Sequence, residues 1–281
     1  MPPPAPIPIG RSVFVSTLGD DKTGQRERLD RCFASPIAAV AAAQAGDTVF
    51  VFPGEYPLAS TLQLNKRISL KLLGQTRLFG EPIEIYTSEA VSLEGGMIHS
   101  PGGTPLIVNS GIVTVRDCTI QTDATSNQDA ILLGGSKSSL LLENCYVLAA
   151  GGTTGTDAIG MDNGWLVLND CRVVSEGANG LTVRNAGRVS LYDCDITGND
   201  SALVADEALV VESEGCYFRC SGIGAAVKTA GHGNPKIHLR GGEVYGLPFS
   251  IGNGEITVAG TVWDRTKGMP GKEWIPGAGW K

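Results

Sequence analysis

The chain has 281 residues, of which 38 are glycine (about 14%) and only 18% are charged, a turn-rich composition long enough for one large domain or two small ones. Lys and Arg number 22 against 29 Asp and Glu, a net charge of −7, so there is no general basic footprint for nucleic acid or anionic lipid. No apolar run approaches the ~20 residues of a membrane span, and neither nucleic-acid binding nor membrane insertion is expected.

In chain order, residues 1–10 (MPPPAPIPIG) have a polyproline II bias, extended and unable to join a sheet. Pro2, Pro3 and Pro4 stiffen this arm, and Ile7 and Ile9 are apolar pegs on it. The segment lacks the basic and apolar regions of a secretory signal, so a Sec-exported precursor is not expected. A short helix is expected over 36–43, where Ser35 supplies an N-cap, Pro36 takes the first helical position, alanines follow and Gly46 lies past the end. Residues 48–65 and 67–88 read as two irregular coils of short strands.

From residue 91 a repeat takes over. Five segments carry two alternate apolar residues, then Asp, Asn or Gly, then Cys: 113–118 (VTVRDC), 140–145 (LLLENC), 166–171 (LVLNDC), 189–194 (VSLYDC) and 211–216 (VESEGC). An apolar residue follows each Cys at plus two, and the pattern continues without Cys at 91–98, 237–244 and 256–263. From Gly96 through Cys118, Cys145, Cys171, Cys194, Cys216 and Gly242 to Thr261 the intervals are 22, 27, 26, 23, 22, 26 and 19 residues. A second motif lies between the Cys segments, beginning at Asp129, Asp157, Asn179, Ser201 and Gly224. Each unit is therefore a set of short strands separated by turns, with no helical period for a crossover. Such a unit cannot bury its apolar face alone and must stack on its neighbours. Wound as a coil, each strand pairs in parallel with its equivalent ~4.8 Å away. The fold class is all-β, a parallel β-helix of about ten coils, a rod on the order of 48 Å long, with a short N-terminal capping helix. The boundaries read as an extended arm at 1–10, an entry strand and capping helix at 11–47, the β-helix at 48–264 and an extended tail at 265–281.

The repeat resembles that of the pectin-lyase-like superfamily of right-handed parallel β-helices, which includes polysaccharide lyases, polygalacturonases and phage tailspikes, and the resemblance implies a right-handed parallel β-helix here. Residues 13–24, 33–43 and 45–56 look like that family's opening strand, capping helix and first coil. The resemblance covers roughly residues 11–264 and speaks for fold far more than for activity.

Cys118, Cys145, Cys171, Cys194 and Cys216 fall at one position of successive coils and are expected to form an inward ladder of free thiols, since the ~4.8 Å rung spacing does not suit the bent disulfide bridge. Cys220 and Cys32 stand outside it and are the places to look for a reactive thiol. No zinc-type CxxC occurs, and no metal site is expected. The Asp or Asn before Cys at 117, 144, 170 and 193 reads as a turn residue. Asp129 and Asp157 occupy equivalent positions one coil apart with Asp162 nearby; close carboxylates split their pKa values into an acid and a base or hold calcium. The resemblance adds Arg184 and Lys228 as bases of the pectate-lyase kind, and His232, whose His-Gly context resembles a polygalacturonase element. Neither Asp129 nor Asp157 has the adjacent aspartate of the polygalacturonase Asp-Asp pair. Aromatic platforms for sugar are sparse, Trp165 being the one Trp between residues 91 and 254.

In the tail, Trp274, Ile275 and Trp280 are apolar anchors in an aperiodic segment. They dock either on the parent rod or, together with the amino-terminal arm, on a neighbouring subunit. The first functional reading is a non-enzymatic structural protein of a phage-like virion, a spike, fibre or surface decoration. It would be made in the host cytoplasm, without cofactor, as a homotrimer touching other virion proteins and a host-surface polysaccharide. The alternatives are a lyase or hydrolase acting on acidic polysaccharide, with calcium only in the lyase case, and a non-catalytic glycan receptor binder using loops 121–129 and 151–157.

Overall fold

Each coil begins with a strand whose alternate side chains turn inward: Ser138–Glu143 buries Leu140 and Leu142, Trp165–Asn169 buries Leu166 and Leu168, and Arg188–Tyr192 buries Val189 and Leu191. The computed structural model describes residues 11–263 apart from 125–126, 152–154, 186, 208–209, 223, 231–232, 246 and 252–253, together with 274–275 and 279–280. On this first face Leu140 pairs in parallel with Val113 and Leu166, Leu166 with Val189, Val189 with Val211 and Val211 with Ile237. A slip of one residue would turn every apolar side chain to solvent, so the alternation sets the register.

The strand ends at a left-handed residue. Asp117, Asn144, Asp170 and Asp193 have φ of 51 to 54°, and Gly215 has φ 68°, a region that Asp and Asn enter more readily than other side chains. One such residue bends the chain onto the second face while its N–H continues the inter-coil ladder, as from Asp117 to the Glu143 carbonyl at 3.1 Å and from Asn144 to the Asn169 carbonyl at 3.0 Å.

The next residue is the repeat's cysteine. Cys118, Cys145, Cys171, Cys194 and Cys216 are at most 3% exposed, and their thiols donate to the carbonyls of Arg116, Glu143, Asn169, Tyr192 and Glu214 at 3.1 to 3.4 Å. All seven cysteines are free. Burial pushes the Cys118 thiol up to about 12, which keeps it protonated and inert. Under native conditions an aromatic disulfide reagent should therefore label Cys32, which is only half-buried, while the ladder thiols appear on denaturation. Rapid native labelling of five or more thiols would contradict this packing.

The second face is a sheet of ten short strands from Gly54–Leu58 to Val262–Trp263. Its inner column runs Ile98, Ile120, Val147, Val173, Ile196, Phe218 and Val244, each paired with the next. Nine steps of ~4.8 Å make this stack roughly 43 Å long. Longer connections lead to the third face, where Ile131, Ile159, Leu181, Leu203 and Val227 stack in register. Strands Ile83–Glu94 and Leu106–Arg116 run unbroken round the corner between the third and first faces, so these two faces form one hydrogen-bonded sheet of 18 strands.

The amino-terminal end of the core is plugged. Ser12–Val15 pairs in parallel with Thr48–Val51, and helix Pro36–Ala42 lays buried Ala39 and Val40 on the core, its Ser35 N-cap accepting the Ala38 N–H. Buried Asp47 fastens the entry segment, accepting from the Arg11 and Gln44 N–H groups at 3.2 and 2.8 Å and pairing with Arg26 at 2.6 Å. The core would otherwise end in open strand edges and uncovered apolar side chains. Of the expected anchors, Pro2, Pro3, Pro4, Ile7 and Ile9 lie outside the described residues. In the tail, Trp274 pairs with Trp280 and Ile275 with Gly279 in a short antiparallel ladder.

Candidate functional site

The third face gathers charge where its strands begin and end. Asp129, Asp157 and Asn179 occupy one position at the strand entry on three successive coils. Asp129 Oδ1 accepts the Asp157 N–H at 3.1 Å, and Asp157 Oδ1 accepts both the Asn179 N–H and its side-chain Nδ2 at 3.0 Å. One oxygen of each carboxylate thus ties its coil to the next. The other oxygens point to Arg184, which ends strand Asn179–Arg184. Its Nη2 is 3.1 Å from Asp157 Oδ2, and its Nη1 is 3.5 Å from Asp162 Oδ1 and 4.0 Å from Asp129 Oδ2.

Gly160 makes the approach feasible. A Cβ at that residue would lie 1.8 Å from Asp129 Oδ2 and 3.2 Å from Arg184 Nη1, so the carboxylate rests on bare backbone. Gly160→Ala is expected to expel the Asp129 carboxylate, at about 1–3 kcal/mol for overpacking, and to erase its titration; an alanine variant with unchanged stability and unchanged pH profile would contradict this contact.

Burial, reinforced by the charge of Asp157 and only partly offset by Arg184, pushes the Asp129 carboxyl up to about 7. The side chains of Asp129 and Asp157 are 11% and 4% exposed, whereas those of Asp162 and Arg184 are 41% and 36% exposed. Any reactant therefore meets Asp162 and Arg184 first. Thr182, paired with Gly160 on the next coil, has a buried hydroxyl with no hydrogen-bond partner among the described residues.

Calcium does not fit here. The guanidinium already occupies the centre of the three acids, and among the described residues no group of three or more His, Cys, Asp or Glu side chains is arranged to hold a metal ion. Lys228 is not part of the cluster: the rungs run Gly160, Thr182, Val204, Lys228, which places it ~14 Å from Gly160 along the axis. His232 lies outside the described residues.

Sequence reasoning missed two features. The second face carries a charged chain across four coils: Arg77 Nη1 lies 3.3 Å from Glu55, Arg77 Nη2 lies 2.7 Å from His99 Nδ1, and His99 Nε2 lies 2.7 Å from Asp123. An arginine can only donate, so Nδ1 accepts and the proton sits on Nε2, facing the carboxylate. The rungs of that face pair Phe79 with His99 and His99 with Gln121, but intervals of 22 to 24 residues between the chain's members concealed their adjacency. The other feature is a cleft of about 660 Å³ at the corner between the third and first faces, with Tyr86, Asn109, Ile112 and Lys137 in its walls. Counting aromatics from residue 91 onward left Tyr86 out.

A family model described as "Right handed beta helix region" matches residues 83–246, more than half of the 281 residues. The chain belongs to that family. Among solved structures, this β-helix is similar to pectate lyase Pel9A, with a TM-score of 0.62, 13% identity, and coverage of 89% of this chain and 79% of that one. A rhamnogalacturonan lyase aligns with a TM-score of 0.44 and 14% identity over 84% of this chain and 68% of that one. At 13% identity the likeness to the pectate lyase is one of fold. No curated protein matches the β-helix chain, and among its described residues no helix is long and apolar enough to cross a membrane.

Proposed function

We propose that this β-helix is a non-enzymatic structural protein of a phage-like virion, a spike, fibre or surface decoration, made in the host cytoplasm and assembled as a homotrimer through its terminal arms. The observation that carries the reading is the commitment of the carboxylate cluster to the rod itself: one oxygen of Asp129 and one of Asp157 each hold the next coil's backbone, and both acids face Arg184. That is the geometry of a staple between coils. Leu18 and Leu29, 95% and 60% exposed in the loop that leads to the capping helix, add apolar surface, and the prolines and isoleucines of 1–10 and the tryptophans of the tail are the anchors this reading requires. The test is the solution mass by light scattering against the 29.3 kDa chain. A species three times that mass, reduced to monomer by deleting residues 1–10 or 268–281 with β-rich circular dichroism intact, is the expected result; assembly unchanged by both deletions overturns the reading.

One observation favours an enzyme acting on acidic polysaccharide: a carboxyl near 7 beside two further acids, which is an acid and base poised for neutral pH. In that reading Asp129 holds the proton and exposed Asp162 or Asp157 acts as the carboxylate. New reducing ends or unsaturated products from a polyuronate panel, lost in Asp129→Asn without loss of fold, would establish it over the structural reading.

A further inference from the structure

From the corner cleft we infer a binding site for a neutral oligosaccharide, laid along the rod axis from Tyr86 past Ile112 to Trp165. The site lies apart from the carboxylate cluster and owes nothing to the oligomeric state. Its first wall arises from a register break: the pairing of strands Ile83–Glu94 and Leu106–Arg116 shifts on either side of Tyr86, and the tyrosine stands 70% exposed. Its floor is backbone. A Cβ on Gly111 would lie 2.8 Å from the Thr87 carbonyl, and one on Gly135 would lie 1.7 Å from the Asn109 carbonyl, so successive coils close up with no side chain between them.

From that floor an apolar column runs along the first face. Ile112 pairs with Ser139, and Ser139 with Trp165; Ile112 and Trp165 are 60% and 54% exposed. Two rungs put them ~10 Å apart, the length of a disaccharide. Tyr86 in the cleft wall and Trp165 two rungs beyond Ile112 thus stand at the two ends of a row that Ile112 and small Ser139 complete.

The polar groups set the class of ligand. Asn109 Nδ2 donates to Glu84 Oε1 at 2.7 Å, which holds a planar amide and a carboxylate side by side at the cleft. A pyranose presents apolar C–H faces to aromatic rings and a rim of hydroxyls that both donate and accept, and a fixed amide and carboxylate pair meets adjacent hydroxyls in both senses. Charge argues for a neutral sugar: Lys137 is the one basic side chain in the cleft wall, the Glu84 carboxylate held by Asn109 offsets it, and the chain as a whole carries a net charge of −7. A polyuronate would gain no net attraction here.

The test is calorimetric titration of the full-length protein with cello-, manno-, xylo-, laminari- and dextran-derived hexasaccharides, with oligogalacturonate as the charged comparator. The expected result is binding of at least one neutral member, insensitive to added salt, weakened tenfold or more by Tyr86→Ala and by Trp165→Ala, and unchanged by Tyr217→Ala, an exposed aromatic on the second face. All three aromatic side chains are exposed, so circular dichroism should be unaltered. No binding by any neutral member, binding indifferent to both Tyr86→Ala and Trp165→Ala, or oligogalacturonate binding more tightly than every neutral sugar would each overturn the proposal.

Discussion

Replacing Arg184 with methionine is expected to destabilise the rod by about 3 kcal/mol at pH 8, because the side chain that faces three carboxylates is lost while two of them stay buried. For a chain of this length that corresponds to a fall in melting temperature of roughly 6–12 °C. The lower end of the usual range for breaking a buried pair applies, since Arg184 is itself 36% exposed. The loss should shrink at pH 5. Without the guanidinium the buried carboxyls bind protons more tightly in the folded than in the unfolded chain, so lowering the pH restores stability. Lysine in place of arginine keeps the charge but loses the planar fork that reaches Asp157 and Asp162 together, and should recover only part of the loss. Denaturant melts of wild type and Arg184→Met at both pH values decide the matter; an equal, small loss at each would mean that the cluster does not hold the coils.

The native rod should itself lose stability between about pH 4 and about pH 7. Asp129 has its folded pKa raised from 3.8 to about 7, so in that window the folded state binds a proton that the unfolded state has released, and unfolding becomes easier as pH rises. The group's contribution is complete below its unfolded value and gone above its folded one, a difference on the order of 4 kcal/mol. Asp129→Asn keeps an oxygen for the Asp157 N–H and removes the ionisation. The difference between wild type and this variant isolates the residue, because every other titrating group cancels. The asparagine variant should become the more stable protein above pH 7, and parallel pH profiles for the two would show that Asp129 is ionised throughout. The same experiment bears on the enzyme reading, which needs Asp129 to hold its proton near neutrality.

Much of the architecture was legible because a β-helix repeats its local instructions. Alternating apolar residues, a left-handed Asp, Asn or Gly and a small thiol recur on five coils, and each instruction acts within a few residues. Asp129 and Asp157 were legible for the same reason, as equivalent entries to the third face. Arg184 and Lys228 looked alike as bases on later coils, yet only Arg184 turns back over Gly160 toward the acids. Their difference depends on which rung each occupies and on what fills the space between.

The division follows from range. Strand alternation, turn conformation and the thiol ladder are consequences of contacts along the chain or to the identical position one coil away, so the order of residues suffices to specify them. The Arg184 cluster, the Glu55 to Asp123 chain and the corner cleft join unlike residues on different coils, brought together by loops whose lengths differ and by a register shift at Tyr86. A spacing of 22 to 27 residues between the coils of the Cys ladder leaves open which side chains meet across them. Only the wound chain, with its connections folded and its rungs aligned, settles which carboxylate finds a cation and which tyrosine finds a wall.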